Sequence, residues 1–141
     1  MRMIRATSAH ANYLAKVHRQ CFVANDAWSA EVFATQMTLP GVFGLIAENQ
    51  GFVLGRVAAD EAEILTICVA PAQRRLGIGR KLLQGAEHLA ADWGAIALFL
   101  EVSSLNHAAF DLYRSRGYER VGVRKRYYAD GSDGVILRKA I

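Results

Sequence analysis

The sequence predicts one domain, residues 1–141, of the α/β (α+β) class. The clearest indication is the run 64–69, which is short, apolar and rich in β-branched residues, as in a strand covered on both faces. Apolar residues then recur at helical spacing from Ile78 to Trp93. The same order, a strand followed by a helix, is repeated from Ile96 onwards. Because 52% of the chain is hydrophobic, there is enough apolar material for a single core.

Two helices are predicted near the N-terminus, after a first strand at 3–6. Ser8 and Ser29 are suitable N-caps for them, because a hydroxyl oxygen accepts from the free N–H groups of a first helical turn. Residues 25–27, Asn-Asp-Ala, break the pattern between the helices, and Pro40-Gly41 ends the second one. The apolar positions of the two helices are Leu14, Val17, Cys21, Phe22, Phe33 and Met37.

The remaining strands are predicted from apolar or alternating runs bounded by turn residues. Asn49-Gln50-Gly51 separates two such runs and predicts an antiparallel hairpin. Asp130-Gly131 and Asp133-Gly134 mark the turn of a second, closing hairpin. These strands span 42–48, 52–58, 96–102, 118–127 and 135–139.

Two glycines are predicted to end the later helices. Gly94 follows the long helix that begins at Ile78, and Gly117 follows a shorter one, each as a C′ glycine. Ser103 or Ser104 is the predicted N-cap of the shorter helix.

The turn 73–80, Gln-Arg-Arg-Leu-Gly-Ile-Gly-Arg, joins the central strand to the long helix. Its glycines, Gly77 and Gly79, let backbone N–H groups point into one concavity at a helix N-terminus, where about half a positive charge accumulates. A Walker A loop is excluded because no Lys followed by Ser or Thr comes after the second glycine. A dinucleotide fingerprint is excluded because its third glycine is missing. The turn is therefore expected to bind phosphate, but as neither of these two common nucleotide loops.

The composition favours an anionic ligand and excludes several other classes of function. The net charge of +4 and pI of about 9.3 suit such a ligand, but the basic residues are too dispersed to indicate nucleic acid. No apolar run approaches the roughly 20 residues of a membrane span, and residues 1–5 lead into no signal peptide, so a cytoplasmic location is expected. Histidine and cysteine spacing predicts no metal site. Cys21 and Cys68 predict no disulfide framework, and Cys68 is expected to be a buried, inert thiol.

The turn at 73–80 resembles the Q/R-x-x-G-x-G/A pyrophosphate loop of the GCN5-related N-acetyltransferases, which bind acetyl-coenzyme A through main-chain amides. This resemblance implies a mixed central sheet with two splayed parallel strands, flanked by helices, and acetyl-CoA as the cofactor. It covers nearly the whole chain and is greatest to the group of ribosomal-protein-alanine N-acetyltransferases, the RimI group. The further segments that carry it are Trp28-Ser29, Leu100-Glu101-Val102, Asn106-His107-Ala108-Ala109, Leu112-Tyr113, Gly117-Tyr118 and Arg126-Tyr127-Tyr128.

The same resemblance implies catalytic roles for Glu101 and Tyr113. In the RimI group the matching glutamate deprotonates the incoming amine, directly or through water, and the matching phenol protonates the coenzyme A thiolate. Alternatively, Glu101 is a structural carboxylate paired with an arginine such as Arg124. Tyr113 is alternatively an aromatic residue of a helix that only packs in the core. Glu63 is a reserve candidate for the base.

Cofactor binding is expected mainly from backbone groups. The N–H of Cys68 or Val69 would polarise the thioester carbonyl, as the family's oxyanion contact does. Asn106 matches an asparagine that contacts the cofactor arm, although a role as N-cap fits it equally. The expected cofactor-binding residues are Ile67, Cys68, Val69, Arg74, Arg75, Leu76, Gly77, Ile78, Gly79, Arg80, Asn106 and Tyr113.

The expected acceptor is the α-amino group of a protein N-terminus, by resemblance the N-terminal alanine of a small-subunit ribosomal protein. Trp28, Glu101 and Tyr128 are expected to bind it, although Trp28 is also suited to be a core or hinge aromatic. A small amine, such as a polyamine or aminoglycoside, is an alternative acceptor. It is disfavoured because the segment 8–37 carries only two acidic residues. A non-catalytic module that binds coenzyme A is a third possibility, and it would need neither Glu101 nor Tyr113.

Overall fold

The computed structural model of the chain describes residues 2–22 and 26–141. Within them lie seven strands and four α-helices, in an order that mixes the two throughout. Their bounds are β1 Met3–Arg5, α1 Ala11–Cys21, α2 Ala30–Thr38, β2 Val42–Ala47, β3 Gly51–Ala58, β4 Glu61–Val69, α3 Ile78–Asp92, β5 Ala97–Ser103, α4 His107–Ser115, β6 Glu119–Arg124 and β7 Gly134–Ala140.

The strands form one sheet in the order β1-β2-β3-β4-β5-β7-β6. Every neighbouring pair is antiparallel except β4 and β5, which are parallel. The predicted mixed α/β architecture is therefore confirmed. The two parallel strands come from successive strand-and-helix units, because a parallel pair requires a long crossover, here the one through α3.

The parallel pair is joined at one end only. Its register runs from Glu61↔Ala97 to Glu63↔Phe99, although β4 continues to Val69 and β5 to Ser103. A bulge accompanies the divergence, because Ile64 and Thr66 pair with neighbouring residues of β3 and leave Leu65 as an extra residue. A bulge bends its strand and strengthens the local twist. The predicted splay is thus present as a gap between the C-terminal halves of β4 and β5.

Two apolar clusters lie on opposite faces of the sheet. The first joins α3 and α4 to the sheet through residues such as Leu82, Leu98 and Tyr113. The second joins α1 and α2 to the strands β2–β4 through residues such as Leu14 and Phe33. Because successive side chains of a strand point to opposite faces, each central strand supplies both clusters.

Two of the predicted helix N-caps differ from the structure, and a third is correct. Thr7, not Ser8, is the first cap: its Oγ1 accepts from Ala9 N–H at 3.3 Å, at the start of a single 3-10 turn that precedes α1. At α4 the cap is Asn106 rather than Ser103 or Ser104, since its Oδ1 accepts from Ala109 N–H at 3.2 Å. Ser29 is a correct prediction, because its Oγ accepts from Val32 N–H at 3.2 Å.

Several boundaries also shift. β4 begins at Glu61, earlier than the predicted run 64–69, because pairing with β3 extends it through polar residues. β6 ends at Arg124 rather than at Tyr127. Beyond it, Asp133 accepts from Arg126 N–H at 3.0 Å, a hydrogen bond within the loop that connects β6 to β7. The predicted break at 25–27 lies partly outside the described residues.

Gly94 and Gly117 both have left-handed backbones, with φ of 97° and 92°, and follow their helices as predicted. In the two described segments, no helix has the length and apolar character needed to cross a membrane. The same segments hold no group of three His, Cys, Asp or Glu side chains placed to bind a metal.

Candidate active site

The turn between β4 and α3 has an open, left-handed backbone. Gly77 is the N-cap of α3 with φ 79°, and Arg75 also has a positive φ of 67°. Gly77 supplies no side-chain cap, and a Cβ built on it would meet nothing within 4 Å. Because the first N–H groups of a helix have no partner within the helix, those at the start of α3 are available to an anion. The turn has the form expected of a diphosphate cradle.

The side chains of this turn divide into three groups. Arg74 folds back on β4, where its Nε donates to the carbonyl oxygen of Val69 at 3.2 Å. Arg75 and Arg80 are exposed, and Leu76 is 64% exposed. Ile78 is buried in the α3 cluster, so only its backbone faces the turn. The backbone amides are therefore the shared feature of the predicted cofactor-binding residues here.

Gly79 places the start of α3 close to its neighbours. A Cβ at this position would lie 3.3 Å from Leu112 Cδ2 and 3.6 Å from Val69 Cγ2. The second glycine of the motif thus lets the helix N-terminus approach both β4 and α4. This brings the turn next to the gap between the parallel strands.

Glu101 lies on β5 just beyond the last parallel pair. Its Oε1 is 3.2 Å from Arg124 Nε, so the ion pair that sequence reasoning weighed as an alternative is present. Its Oε2 is buried, and none of the described residues gives it a hydrogen bond. The side chain is 21% exposed in total. One carboxylate oxygen is therefore held and the other is free to accept a donor.

Tyr113 lies on α4 and is only 6% exposed. It packs in the cluster that covers the α3 face, where its ring centroid is 6.0 Å from that of Tyr118. Burial, and then the neighbouring Tyr128 and Cys68, raise the pKa of Tyr113 to about 12. Its phenol stays protonated throughout the physiological pH range, so it can donate a hydrogen bond or a proton.

Glu101 and Tyr113 approach the gap from opposite faces of the sheet. Tyr113 shares its cluster with Leu100 and Val102, whereas Glu101 alternates to the other face. Tyr128 is close to both: it contributes to the raised pKa of Tyr113, and its own pKa is raised to about 12 by burial and then by the Glu101 carboxylate. Tyr128 therefore lies within electrostatic range of both Glu101 and Tyr113, and Cys68 lies within that range of Tyr113.

Trp28 belongs to an aromatic cluster with residues of α1 and α2. Its ring centroid lies 5.2 Å from that of Phe33 and 5.5 Å from that of His18. It is half-buried, so one side remains outside the packed cluster. The structure thus supports the hinge-aromatic interpretation and leaves the acceptor-wall role as a prediction.

His18 is a structural residue that sequence reasoning missed. It is 2% exposed; its Nδ1 accepts from Trp28 N–H at 3.0 Å, and its Nε2 lies 3.1 Å from Thr66 Oγ1. Because Nδ1 is an acceptor, the proton of the neutral ring is on Nε2. Desolvation lowers the pKa of His18 to about 4. Its position on the apolar face of α1, four residues after Leu14, was the available signal.

Two predicted residues lie apart from this group. Glu63 is exposed and pairs with Phe99, where β4 and β5 are still joined and the gap between them has not yet opened. The carboxamide oxygen of Asn106 is engaged as the cap of α4. The sequence indicates Gly134 only as a turn residue and does not predict that it lies directly against the Glu101 carboxylate.

Two surface cavities lie elsewhere. One of about 400 Å³ is lined by Arg56, Glu61, Glu63 and Phe99 at the closed end of the parallel pair. The other, of about 330 Å³, is lined by Ile4, Tyr13 and Ile46 among others. Neither is lined by Glu101, Tyr113 or Tyr128, so neither is the site described above.

Comparison with known proteins agrees with this geometry. The Acetyltransferase (GNAT) family matches residues 10–118 of the chain. The N-alpha-acetyltransferase RimI of Mycobacterium tuberculosis is 37% identical over 94% of this chain and 88% of its own length. The [ribosomal protein bS18]-alanine N-acetyltransferase of Escherichia coli K12 is 34% identical over 78% of each chain.

A solved structure is also similar over nearly the full length. The crystal structure of the ribosomal-protein-S18-alanine N-acetyltransferase from Escherichia coli superposes with a TM-score of 0.85 at 27% identity, covering 99% of this chain and 94% of that one. The chain belongs to the GNAT family of acetyltransferases. It is an N-acetyltransferase, and its acyl donor is acetyl-CoA.

Proposed function

We propose that the chain acetylates the α-amino group of a protein N-terminus and that Glu101 is the base. The observation that carries this role is the carboxylate's asymmetry. Oε1 is paired with Arg124, whereas Oε2 is buried without a hydrogen bond from any described residue. A buried acceptor without a donor is costly, and an incoming amine would supply the missing donor.

An α-amino group suits a single carboxylate base. Its pKa is near 7.7 to 8.0, against about 10.4 for a lysine side chain, a gap of roughly 2.5 units or 3.5 kcal/mol. Removing its proton near neutral pH therefore requires little driving force. Glu101 accepts that proton, and Arg124 keeps the carboxylate oriented while it does so.

The turn 74–80 and the end of β4 fit the acyl donor. The open N-terminus of α3 would hold the diphosphate, and Cys68 and Val69 on β4 border the gap. Bound acetyl-CoA supplies a thioester, whose carbonyl carbon is the electrophile. The backbone N–H of Cys68 or Val69 would stabilise negative charge on the carbonyl oxygen.

Tyr113 interacts with the leaving group, the coenzyme A thiolate. With a pKa of about 12, its phenol is a weaker acid than a thiol of pKa about 8.5, so it does not transfer its proton completely to a free thiolate. It donates a hydrogen bond to the developing negative charge, which is greatest in the transition state. Burial of the phenol strengthens such a bond.

In this proposal the acceptor is the N-terminal alanine of a ribosomal protein, and the reaction takes place in the cytoplasm. The name of the Escherichia coli relative supports this acceptor, and the name of the Mycobacterium tuberculosis relative supports acetylation of an α-amino group. The structure is compatible with a peptide, because the face of β5 that carries Glu101 lies beside Tyr128 and lacks the cover that α1 and α2 give to β2–β4. Trp28 and Tyr128 would form opposite walls for the first residues of the peptide.

The test is release of free coenzyme A thiol with three acceptors: a peptide starting with alanine, a peptide whose only amine is a lysine ε-amine, and spermidine. We expect turnover with the first. Glu101→Gln should lower kcat by about a hundredfold or more, within the usual range for a general base. Tyr113→Phe should lower it by about tenfold, as loss of one hydrogen bond made in the transition state.

Glu63→Gln is the matched control, since it changes a second strand carboxylate at the closed end of the parallel pair. Preferred turnover of spermidine would overturn the peptide acceptor. Unchanged thiol release in Glu101→Gln and Tyr113→Phe, with acetyl-CoA still bound, would overturn the assigned roles.

A further inference from the structure

The end of α1 brings a second thiol to β4. Cys21 is the last residue of α1, and its Sγ donates to the carbonyl oxygen of Val69 at 3.4 Å. Cys68 precedes Val69 and is buried on the face of β4 that α1 covers. Cys21 packs against the apolar cluster that contains Cys68, and each thiol alters the pKa of the other. Two cysteines distant in sequence are therefore neighbours beside the opening where the acyl donor binds.

The two thiols have unequal surroundings. Cys21 is half-buried, and the Arg74 side chain reaches the same Val69 carbonyl at 3.2 Å. The neighbouring Cys68 thiol, and then Arg74, lower the pKa of Cys21 to about 6, although burial acts in the opposite direction. Cys68 is buried, and its neighbour and its burial raise its pKa. These influences make Cys21 the thiol that loses its proton more readily, so Cys21 is the more nucleophilic of the two sulfurs.

We propose that Cys21 and Cys68 are a peroxide-reactive modification site, with Cys21 as the attacking sulfur and Cys68 as the resolving one. The Cys21 thiolate attacks one oxygen of hydrogen peroxide; the O–O bond breaks, leaving a sulfenic acid and hydroxide. The Cys68 thiol then attacks the Cys21 sulfur, and the hydroxyl leaves as water with the thiol proton. Overall, two thiols and one hydrogen peroxide yield one disulfide and two waters.

Oxidation would alter the edge of the acyl-donor site. In the disulfide, Cys21 Sγ has no proton to donate to the Val69 carbonyl, the same carbonyl that Arg74 Nε contacts. The disulfide also fixes the end of α1 to the strand whose backbone borders the gap. We expect coenzyme A to bind at least about tenfold more weakly to the oxidised protein, a change of 1.4 kcal/mol. This inference concerns the thiols and the donor site, so it holds whatever the acceptor is.

The experiment treats the full chain with hydrogen peroxide and maps the product by mass spectrometry. Trypsin places Cys21 in the peptide 20–56 and Cys68 in the peptide 57–74, one cysteine in each. We expect these two peptides to be joined and to separate again with dithiothreitol. Calorimetry of coenzyme A binding to oxidised, reduced and re-reduced protein measures the effect on the donor site.

Two variants separate the roles of the sulfurs. Cys21→Ser should bind coenzyme A as the reduced protein does and lose this response to peroxide. Cys68→Ser should stop at the Cys21 sulfenic acid, which dimedone traps at residue 21. The comparison of the two identifies the sulfur that reacts first.

Three outcomes would overturn the proposal. One is a Cys21 that reacts with peroxide no faster than free cysteine. Another is a product mixture of disulfides between chains, or of sulfonic acid, with no link between 20–56 and 57–74. The third is a linked protein that binds coenzyme A as well as the reduced one. A time course of the peptide map of the unsubstituted protein, run beside free cysteine, decides the first two even if a variant folds poorly.

Discussion

Gly134 lies against Glu101 so closely that a Cβ atom on it would be 2.5 Å from Oε2 and 3.1 Å from Cδ. Gly134 pairs with Ser103 of β5 on one side and with Arg124 of β6 on the other. Because β7 lies between those strands, the Arg124 side chain must pass over it to reach Glu101. The missing side chain at Gly134 makes room for this ion pair.

Gly134→Ala should therefore displace the carboxylate without preventing folding. Gly134 does not have a left-handed backbone, so alanine is compatible with its φ, and the collision is with a side chain. We expect kcat/KM for an alanine-starting peptide to fall by about a hundredfold, as for misplacement of a reacting group by about an ångström. Steady-state thiol release measures this.

Gly122→Ala on β6 is the matched control, because its Cβ would meet Ile136 Cδ1 at an ordinary 3.4 Å. It should keep its activity to within about twofold, a change of about 0.4 kcal/mol. Full activity in Gly134→Ala would show that the position of Oε2 does not matter.

Arg124→Gln should affect turnover more than stability. The Arg124 side chain is 57% exposed, and an exposed ion pair contributes less than about 1 kcal/mol to the free energy of unfolding. Loss of the guanidinium leaves Oε1 without its partner and lets the carboxylate rotate. We expect kcat to fall about tenfold while the KM for acetyl-CoA is unchanged, because the pair lies away from the turn 74–80.

Arg124→Lys should retain part of the activity, since it keeps the charge but loses the planar group that lies 5.2 Å from the Tyr127 ring centroid. Arg120→Gln, an exposed arginine on the same strand, is the control. Equal losses in the Arg120 and Arg124 variants would mean that overall charge, and not the contact with Glu101, is responsible.

The turn 73–80 and the strand and helix that it joins could be predicted because their signals are local. Gly77 and Gly79 indicate the turn. The apolar run before it predicts a strand, and the helical spacing of apolar residues after it predicts a helix. The same is true of the C′ glycines, whose left-handed backbones are confirmed at Gly94 and Gly117. Such features depend on a few neighbouring residues, so the sequence contains them.

What could not be predicted depends on strand order and on competition between neighbours. The contact of Glu101 with Gly134 and Arg124 requires β7 to insert between β5 and β6, which no local pattern reveals. Ser103 was a reasonable cap for α4, but its hydroxyl contacts Ser132 at 2.8 Å, and Asn106 caps the helix instead. Only tertiary contacts decide such cases.

His18 should make stability depend on pH in a defined window. Its pKa is about 4 in the folded protein and 6.5 when unfolded, so between these values the unfolded state binds more protons. The free energy of unfolding is therefore unaffected by His18 above about pH 7. It decreases progressively as the pH falls from 6.5 towards 4, by at most about 3 kcal/mol. Urea unfolding at several pH values measures this.

The control compares His18→Gln with His88→Gln, in which the exposed His88 of α3 is replaced. The first should lose the pH dependence within this window, whatever its stability at pH 7. The second should keep it. A pH dependence that persists in His18→Gln would assign it to other groups.

Glu87 of α3 is predicted to anchor the helices α3 and α4 to the far strands. It is 6% exposed, and its carboxylate receives Arg116 Nη2 at 3.1 Å, Tyr118 Oη at 2.9 Å and Lys139 Nζ at 2.9 Å. Burial and the adjacent Glu87 raise the pKa of Tyr118, so the phenol remains a donor to the carboxylate. Three donors from two regions of the chain depend on one acceptor.

Glu87→Ala leaves two cations and a phenol without that acceptor, and we expect it to lower the free energy of unfolding by about 3 kcal/mol or more. Gln84→Ala, an exposed position on the same helix, should change it by less than about 0.5 kcal/mol. Urea unfolding of both variants at pH 7 compares them. Since Glu87 lies on the α3 face and Glu101 on the other, the surviving folded fraction of Glu87→Ala should turn over at nearly the normal kcat. A loss of kcat per folded molecule as large as that of Glu101→Gln would mean that this network also positions the catalytic groups.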